Sequence, residues 1–194
     1  NGSSAQNTIT LRPALGNSGE VISAAASGQP ILLLDDADYV IVDGRPGGIG
    51  SAADLTFENL ATTSSSFTLR FLNGATNNII RYCVIKNNTM NTAGPRAIEI
   101  GTSVSNPTGN SYNQILFNDI VGGRSGIGLA GTPVNLNLFN QIKNNKISNF
   151  GYSGIWVLSN SSNVLIEGDQ IFQTIGYNTF NFGIIAAGFT SLDI

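Results

Sequence analysis

Residues 153–171 read SGIWVLSNSSNVLIEGDQI, two short apolar runs separated by a polar turn. Runs of both kinds recur along the chain at a nearly constant interval. The first kind, a small apolar triplet that usually follows glycine, is aligned through one Leu and four Ile residues spaced 29, 29, 28 and 29 apart. These residues are Leu69, Ile98, Ile127, Ile155 and Ile184. Such self-similarity at a fixed period indicates a repeat architecture.

An earlier copy of the same run is ILLLDD, residues 31–36. It aligns through Leu33, which precedes Leu69 by 36 residues. We expect the extra length to lie in the glycine-rich loop 44–52, because loops accept insertions more readily than strands.

The second kind of run ends on isoleucine, and alignment on that isoleucine brings four residues into one column. These are Cys83, Asn118, Asn145 and Asp169. Asparagine tolerates the left-handed conformation that a recurring sharp turn requires. Its side chain can also hydrogen-bond to the backbone of the neighbouring repeat. Because cysteine is often buried, we expect this column to face inward.

Each repeat is therefore expected to hold two or three short strands separated by turns. About 29 residues are too few for a strand–helix–strand crossover, and no segment shows the 3.6-residue period of a helix. A propeller blade needs about 40–45 residues. The pattern predicts an all-β fold, a parallel β-helix of about six coils with three strands per coil. Residues 1–194 are expected to form one domain, a segment of a longer chain.

Composition excludes several functions. Charged residues make up 11% of the chain, and the net charge of −3 offers no basic stripe for nucleic acid. No apolar run approaches the roughly 20 residues of a membrane span. A chain with no histidine has no imidazole base or ligand, and one cysteine cannot form an intrachain disulfide.

The pattern N-x-I-x-x-N-x-I, followed by a Gly-Ile strand, resembles the right-handed parallel β-helix repeats of the pectin-lyase-like superfamily. The run ILLLDDADYVIVDGRPGG, then LTFEN and ATNNIIRYCVI, resembles repeats of large secreted bacterial surface proteins. The resemblance extends from about Ile9 to Ala187. It implies a right-handed coil and an extracellular or cell-surface location. It does not imply one activity, because this repeat serves lyases, hydrolases, epimerases, adhesins and passive stalks.

Side-chain alternation predicts which residues face outward. The outward column of the first kind of run contains Arg70, Glu99, Gly128, Trp156 and Ile185. Adjacent strands lie about 4.8 Å apart, so we expect Arg70 and Glu99 to form an ion pair. The second kind of run gives another outward column, listed as Arg81, Leu116, Lys143 and Glu167.

Neither column predicts catalytic residues. Lyases of the superfamily use Asp and Glu to hold calcium and Arg or Lys as base, and its hydrolases need converging carboxylates. Glu99 has no second acid beside it in its column, and Glu167 lies beside Lys143.

The candidate ligand-binding residues are Trp156, Tyr152, Glu99 and Arg70. An exposed aromatic ring on a flat β face can stack on a sugar or anchor a partner. The alternative is that a loop packs over Trp156, for instance the loop around Phe180 and Phe182.

The densest acidic run contains Asp35, Asp36 and Asp38. These carboxylates are candidates for Ca²⁺, but their spacing lacks the order of a calcium loop, and a polar turn is the preferred interpretation. We therefore expect no cofactor, with Ca²⁺ as the alternative.

Two functions remain open. The first is a non-enzymatic structural or adhesive segment of a secreted bacterial surface protein or filament, which binds a polysaccharide or surface glycan weakly. The second is a fragment of a carbohydrate-active enzyme. No amphipathic helix is visible at either terminus to cap the coil, so we expect either that the protein continues in both directions or that copies stack end to end.

Overall fold

The structure, a computed structural model, describes residues 2–89, 94–102, 108–175, 181–188 and 191–194. In these residues the chain is a parallel β-helix, as the repeat predicts. Short strands line up in three long parallel sheets, together with a fourth sheet of two strands. One short 3-10 helix, Pro46–Gly48, interrupts the loop that the sequence predicts to carry the extra length.

The strands are named here by sheet. Sheet 1 contains Ile9–Leu11, Val40–Asp43, Ile79–Arg81, Gln114–Leu116, Gln141–Lys143, Val164–Glu167 and Leu192–Asp193. Sheet 2 contains Glu20–Ala24, Leu55–Asn59, Cys83–Asn87, Asp119–Gly122, Lys146–Ser148 and Gln170–Phe172. Sheet 3 contains Leu32–Asp35, Leu69–Leu72, Arg96–Ile100, Ser125–Leu129, Ser153–Val157 and Phe182–Ala186. The fourth sheet contains Asn137–Leu138 and Ser161–Ser162.

The register of sheet 3 confirms the repeat alignment. Leu69 pairs with Ile98, and the partners continue through Ile127 and Ile155 to Ile184. The first four of these side chains are buried in a core cluster that all three sheets share. The stacking of like apolar side chains between coils stabilises the solenoid. The right-handed sense of the coil stays a prediction of the resemblance.

The alignment of the earliest copy is wrong by one residue. Leu32, and not Leu33, pairs with Leu69. Leu33 lies opposite Arg70 and is 41% exposed, whereas Leu34 is 5% exposed and enters the core. Four consecutive apolar residues carry no alternation, so the sequence does not reveal which of them face inward.

The predicted column at the bend between sheets 1 and 2 forms a buried hydrogen-bonded stack. Cys83 N–H donates to Asn118 Oδ1 at 3.0 Å, and Asn118 N–H donates to Asn145 Oδ1 at 2.9 Å. Asn145 N–H in turn donates to Asp169 Oδ1 at 2.7 Å. Each asparagine also donates through Nδ2 to a carbonyl of the preceding coil, Ile80 or Ile115, at 2.9 Å. The stack therefore satisfies backbone groups that the bend removes from the sheets.

The left-handed conformation expected for asparagine in this column is wrong, whereas the expected hydrogen bonds to the neighbouring coil are present. The left-handed residue is the one that precedes each column member, at Tyr82, Phe117, Asn144 and Gly168, with φ of 52°, 56°, 57° and 70°. Asn118 and Asn145 are absent from the positive-φ residues. Their role is to hydrogen-bond while buried, since an amide can both donate and accept.

Three further asparagine stacks were not anticipated. At the turn into sheet 1, Asn78 N–H donates to Asn113 Oδ1 at 3.1 Å, and Asn113 N–H donates to Asn140 Oδ1 at 2.9 Å. The other stacks are the pairs Asn110 with Asn137 and Asn59 with Asn87. The Asn that immediately precedes four of the seven sheet 1 strands was a usable signal for the first of them.

Removal of one amide from the predicted column should destabilise the coil. Asn118→Ala leaves the Cys83 N–H and the Ile80 carbonyl buried without partners. We expect the free energy of unfolding to fall by about 2–4 kcal/mol, since each orphaned group costs about 1–3 kcal/mol. Chemical denaturation measures the change. The matched control is Asn88→Ala, at an exposed position, where less than about 0.5 kcal/mol is expected. Equal losses would contradict the role assigned to the stack.

Candidate functional site

Trp156 lies in the middle of strand Ser153–Val157, on the outer face of sheet 3. Its chain neighbours Ile155 and Val157 are buried, whereas the indole is half-buried. Parallel pairing places five side-chain positions in one row across the sheet, Arg70, Glu99, Gly128, Trp156 and Ile185. The row follows the order that alternation predicts.

Arginine side chains cover Trp156. The Arg124 guanidinium lies 4.9 Å from the centre of the indole, and the Arg96 guanidinium lies 5.5 Å from it. Tyr152 packs beside the indole at 5.5 Å, and Phe182 contacts Tyr152 edge-on at 5.3 Å. Phe180, named above with the covering loop, lies outside the described residues. Trp156 therefore lies beneath positively charged side chains and is not an open, flat surface on which a sugar ring could stack.

Glu99 is the acid of this cluster. It is 6% exposed, and its Oε2 accepts a hydrogen bond from Arg70 Nε at 2.5 Å. Its Oε1 pairs with Arg96 Nη1. The expected Arg70 partner is present, but Arg96 was missed, because residues three apart in a regular strand face opposite sides.

Gly128 allows Arg96 to lie across the sheet. A Cβ atom built at Gly128 would lie 2.0 Å from Arg96 Cδ and 2.2 Å from its Nε. The arginine chain therefore occupies the space that any other residue at this position would fill. Arg96 reaches both Glu99 and Trp156 by this path.

The cluster carries an excess of positive charge. We call it the arginine–tryptophan cluster, and its members are Arg70, Arg96, Glu99, Arg124, Tyr152 and Trp156. It contains three guanidinium groups and one carboxylate, and only Arg70 and Arg96 pair with that carboxylate, in a chain whose net charge is −3. Arg124 forms no ion pair with the described residues. Burial lowers the pKa of Arg96, and the charges of Arg124 and Arg70 act in the same direction. The cluster is thus suited to an anion, which would relieve this repulsion.

The cluster lacks the paired carboxylates of a hydrolase. Within the described residues, Glu99 forms its ion pairs with two arginines and shares no hydrogen bond with another acid. General acid and base chemistry across a glycosidic bond needs two carboxyl groups.

Two of the three acidic candidates at 35–38, Asp35 and Asp38, accept hydrogen bonds from the turn of the next coil. Asp35 accepts from Asn73 Nδ2 at 2.7 Å, and Asp38 accepts from Thr76 N–H at 2.9 Å and from its hydroxyl at 2.6 Å. Asp36 adopts a left-handed conformation, φ 51°. Nowhere in the described ranges do three or more His, Cys, Asp or Glu side chains converge as a metal site would require.

Asp43 is a second buried acid whose role the sequence did not reveal. It is 1% exposed and accepts from Arg45 Nε at 2.8 Å and from Arg81 Nε at 2.9 Å. Burial alone would raise the pKa of Asp43, but the hydrogen bonds and charges of both arginines lower it below its ordinary value. The group anchors the long loop after sheet 1 and stays ionised.

Asp169 ends the asparagine stack with an unusual environment. Its Oδ1 accepts from Asn145 Nδ2 at 2.8 Å, but its Oδ2 is buried without a hydrogen-bond partner. In the other members of the stack the equivalent atom is Nδ2, which donates to a carbonyl of the preceding coil. Oδ2 of Asp169 therefore lies where a donor to the Ile142 carbonyl would be expected. Burial raises the pKa of Asp169, and the two hydrogen bonds from Asn145 only partly oppose it. No charged side chain contributes to this shift.

Asp169→Asn should therefore stabilise the protein in a pH-dependent way. Because the folded pKa lies above the ordinary value of 3.8, the wild type loses stability as pH rises from that value through the folded pKa. We expect the variant to gain about 1–3 kcal/mol at pH 7 and much less near pH 3.5. Urea denaturation of both proteins at the two pH values measures the difference. A gain that does not change with pH would contradict the prediction.

The charge of the cluster can be measured through its own fluorophore, because Trp156 is the only tryptophan. We expect iodide to quench its emission more strongly than neutral acrylamide does, relative to a free indole standard. Arg124→Gln should lower the iodide quenching constant about twofold and leave acrylamide quenching nearly unchanged. Lys146→Gln removes the same charge from an exposed position on sheet 2 and should change neither. If both variants behave alike, the local excess of charge is not present.

No protein-family model and no curated protein sequence matches the chain. The chemistry of the arginine–tryptophan cluster must therefore be argued from its own residues. In the described part of the chain, no helix is long and apolar enough to cross a membrane.

Proposed function

We propose that the chain is a structural, adhesive segment of a secreted surface protein or filament, which binds anionic glycan through the arginine–tryptophan cluster. One observation carries the proposal, namely that Arg124 lies over the Trp156 ring beside two arginines that already share the buried carboxylate of Glu99. The carboxylate and sulfate groups of acidic glycans are the anions that guanidinium groups bind in planar, bidentate fashion.

The β-helix supports the structural part of the proposal. Each coil contacts chiefly its neighbours, so such a rod presents an extended surface whose columns repeat along its axis. The core is continuous across the three sheets, and stacked asparagines satisfy the backbone at the bends. These features favour a rigid element that holds a binding surface away from its base.

A polysaccharide lyase fragment is the second candidate, and one observation favours it. The pKa of Arg96 is lowered by burial and by neighbouring arginines, the direction that raises the fraction of the neutral guanidine form that a general base needs. Two features oppose this role. The Arg96 side chain is only 12% exposed, and it is paired with Glu99.

Binding and product formation, measured on the same glycans, together separate the two candidates. The protein is titrated by calorimetry with polygalacturonate, hyaluronan and a sulfated glycan, with dextran as the uncharged control. We expect an anionic glycan to bind with an affinity that falls as salt rises, and dextran not to bind at this cluster. Arg124→Gln should weaken binding about tenfold, whereas Lys146→Gln should weaken it less than twofold.

The same mixtures are assayed for unsaturated uronate and for new reducing ends. Binding without product supports the adhesive role. Appearance of unsaturated product that Arg96→Lys abolishes would replace it with the lyase. Failure of every anionic glycan to bind would overturn the assignment of the cluster.

A further inference from the structure

Large aromatic residues occupy turn positions that favour asparagine or glycine. Five of them have left-handed backbone conformations with φ between 52° and 59°, namely Tyr39, Tyr82, Tyr112, Phe117 and Phe139. The same columns hold Asn77, Asn144, Asn163 and Gly168 in other coils. A bulky residue in this conformation costs about 1 kcal/mol or more. The chain thus keeps an unfavourable residue type at these turns, which is a reason to look for a function there.

Four of these rings, all except that of Tyr39, form two stacked pairs with different surroundings. Tyr82 and Phe117 stack at 5.1 Å, and the Arg45 guanidinium lies over the Tyr82 ring at 4.4 Å. Tyr112 and Phe139 also stack at 5.1 Å, but no cation lies over Tyr112 within the described residues. In the preceding coil this turn position holds Asn77, a smaller residue. Tyr112 is 51% exposed and therefore keeps one side open.

The open side of Tyr112 lines a hollow of about 460 Å³. This volume lies within the range of about 300–1,000 Å³ that small-molecule sites occupy. The wall includes Asn77, Ser111, Leu136 and Leu138, and every described residue that lines the hollow is uncharged. The lining combines apolar surface with a few amide and hydroxyl groups.

Two polar groups in the hollow have no partner among the described residues. Asn77 Nδ2 donates to Thr76 Oγ1 at 3.0 Å, which leaves Asn77 Oδ1 as a free acceptor. The Tyr112 hydroxyl makes no hydrogen bond to any residue that the structure describes. By contrast, the Thr76 hydroxyl donates to Asp38, and Ser111 Oγ accepts from Leu138 N–H. The hollow thus offers a ring face, one acceptor and one hydroxyl.

We propose that this hollow binds an uncharged sugar residue of a glycan, stacked on the Tyr112 ring with a hydroxyl donating to Asn77 Oδ1. A sugar ring presents a C–H face to an aromatic ring and hydroxyls at its rim, which matches this lining. A charged sugar would lose hydration without gaining a counter-charge. The site lies on a different turn from the arginine–tryptophan cluster and requires the opposite electrostatics, so either site can fail without the other.

A peptide that adds as a strand fits this place less well. Strand addition needs free backbone donors and acceptors. At this turn Asn77 N–H already donates to the Ser111 carbonyl at 3.2 Å, and Tyr112 N–H donates to the Leu138 carbonyl at 2.8 Å. Recognition must therefore come from the side chains.

The test uses uncharged oligosaccharides of glucose, galactose, mannose and N-acetylglucosamine. Saturation-transfer NMR detects binding, and calorimetry measures it. We expect at least one of them to bind the wild type and Tyr112→Asn to weaken it about tenfold, the loss of one stacking contact of about 1.4 kcal/mol. Asparagine suits this turn, since Asn77 holds the same column with φ 57°. Tyr112→Phe should retain most of the affinity because it keeps the ring.

The matched control is Tyr82→Asn, the same change in the stack that Arg45 covers. It should leave the affinity within about twofold, and thermal unfolding checks that both variants fold. Two outcomes would overturn the proposal. They are the absence of binding by every uncharged oligosaccharide, and equal losses of affinity from Tyr112→Asn and Tyr82→Asn.

Discussion

The hydrogen bond from a buried asparagine side chain to the backbone of the preceding coil is the interaction on which this architecture depends. A chain that bends sharply every few residues removes N–H and C=O groups from its sheets while keeping them inside. Asn118 answers both needs, because its Oδ1 accepts from Cys83 N–H and its Nδ2 donates to the Ile80 carbonyl. Each such pair of hydrogen bonds also fixes how one coil is aligned with the next. The register of the sheets, and with it every outer column of side chains, follows from that alignment.

The alignment of the coils determines which side chains lie together on the surface. Because the coils are in register, Arg70, Glu99 and Trp156 fall in one row of sheet 3 without belonging to one segment of sequence. Gly128 then adds what a regular column lacks, a gap through which Arg96 crosses to the indole. At the turns, the same alignment of the coils stacks the Tyr112 ring on the Phe139 ring. Both candidate sites are therefore products of stacking, one polar and cationic, the other uncharged and aromatic.

Spacing predicted the parallel β-helix and the alignment of Ile98 with Ile127, because inward residues must repeat once per coil. The contacts of individual side chains were harder to predict. Leu33 was misplaced since its neighbours are equally apolar, and the reach of Arg96 depends on an empty volume at Gly128. The left-handed residues were assigned to the wrong column, because Asn in sequence signals both a turn and a buried amide. Spacing along the sequence is enough to predict which strands pair. These contacts depend in addition on the direction that each side chain takes in space.

The reactivity of Cys83 can report how often the coils of the solenoid separate locally. The thiol begins the asparagine column, and burial, helped by the charge of Asp43, raises its pKa to about 12. Reaction with an alkylating reagent requires the thiolate, which is scarce in the closed coil at neutral pH. Labelling of the chain's single cysteine therefore proceeds through local separation of the coils around it. Its rate reports how often this middle part of the rod opens, without any added probe.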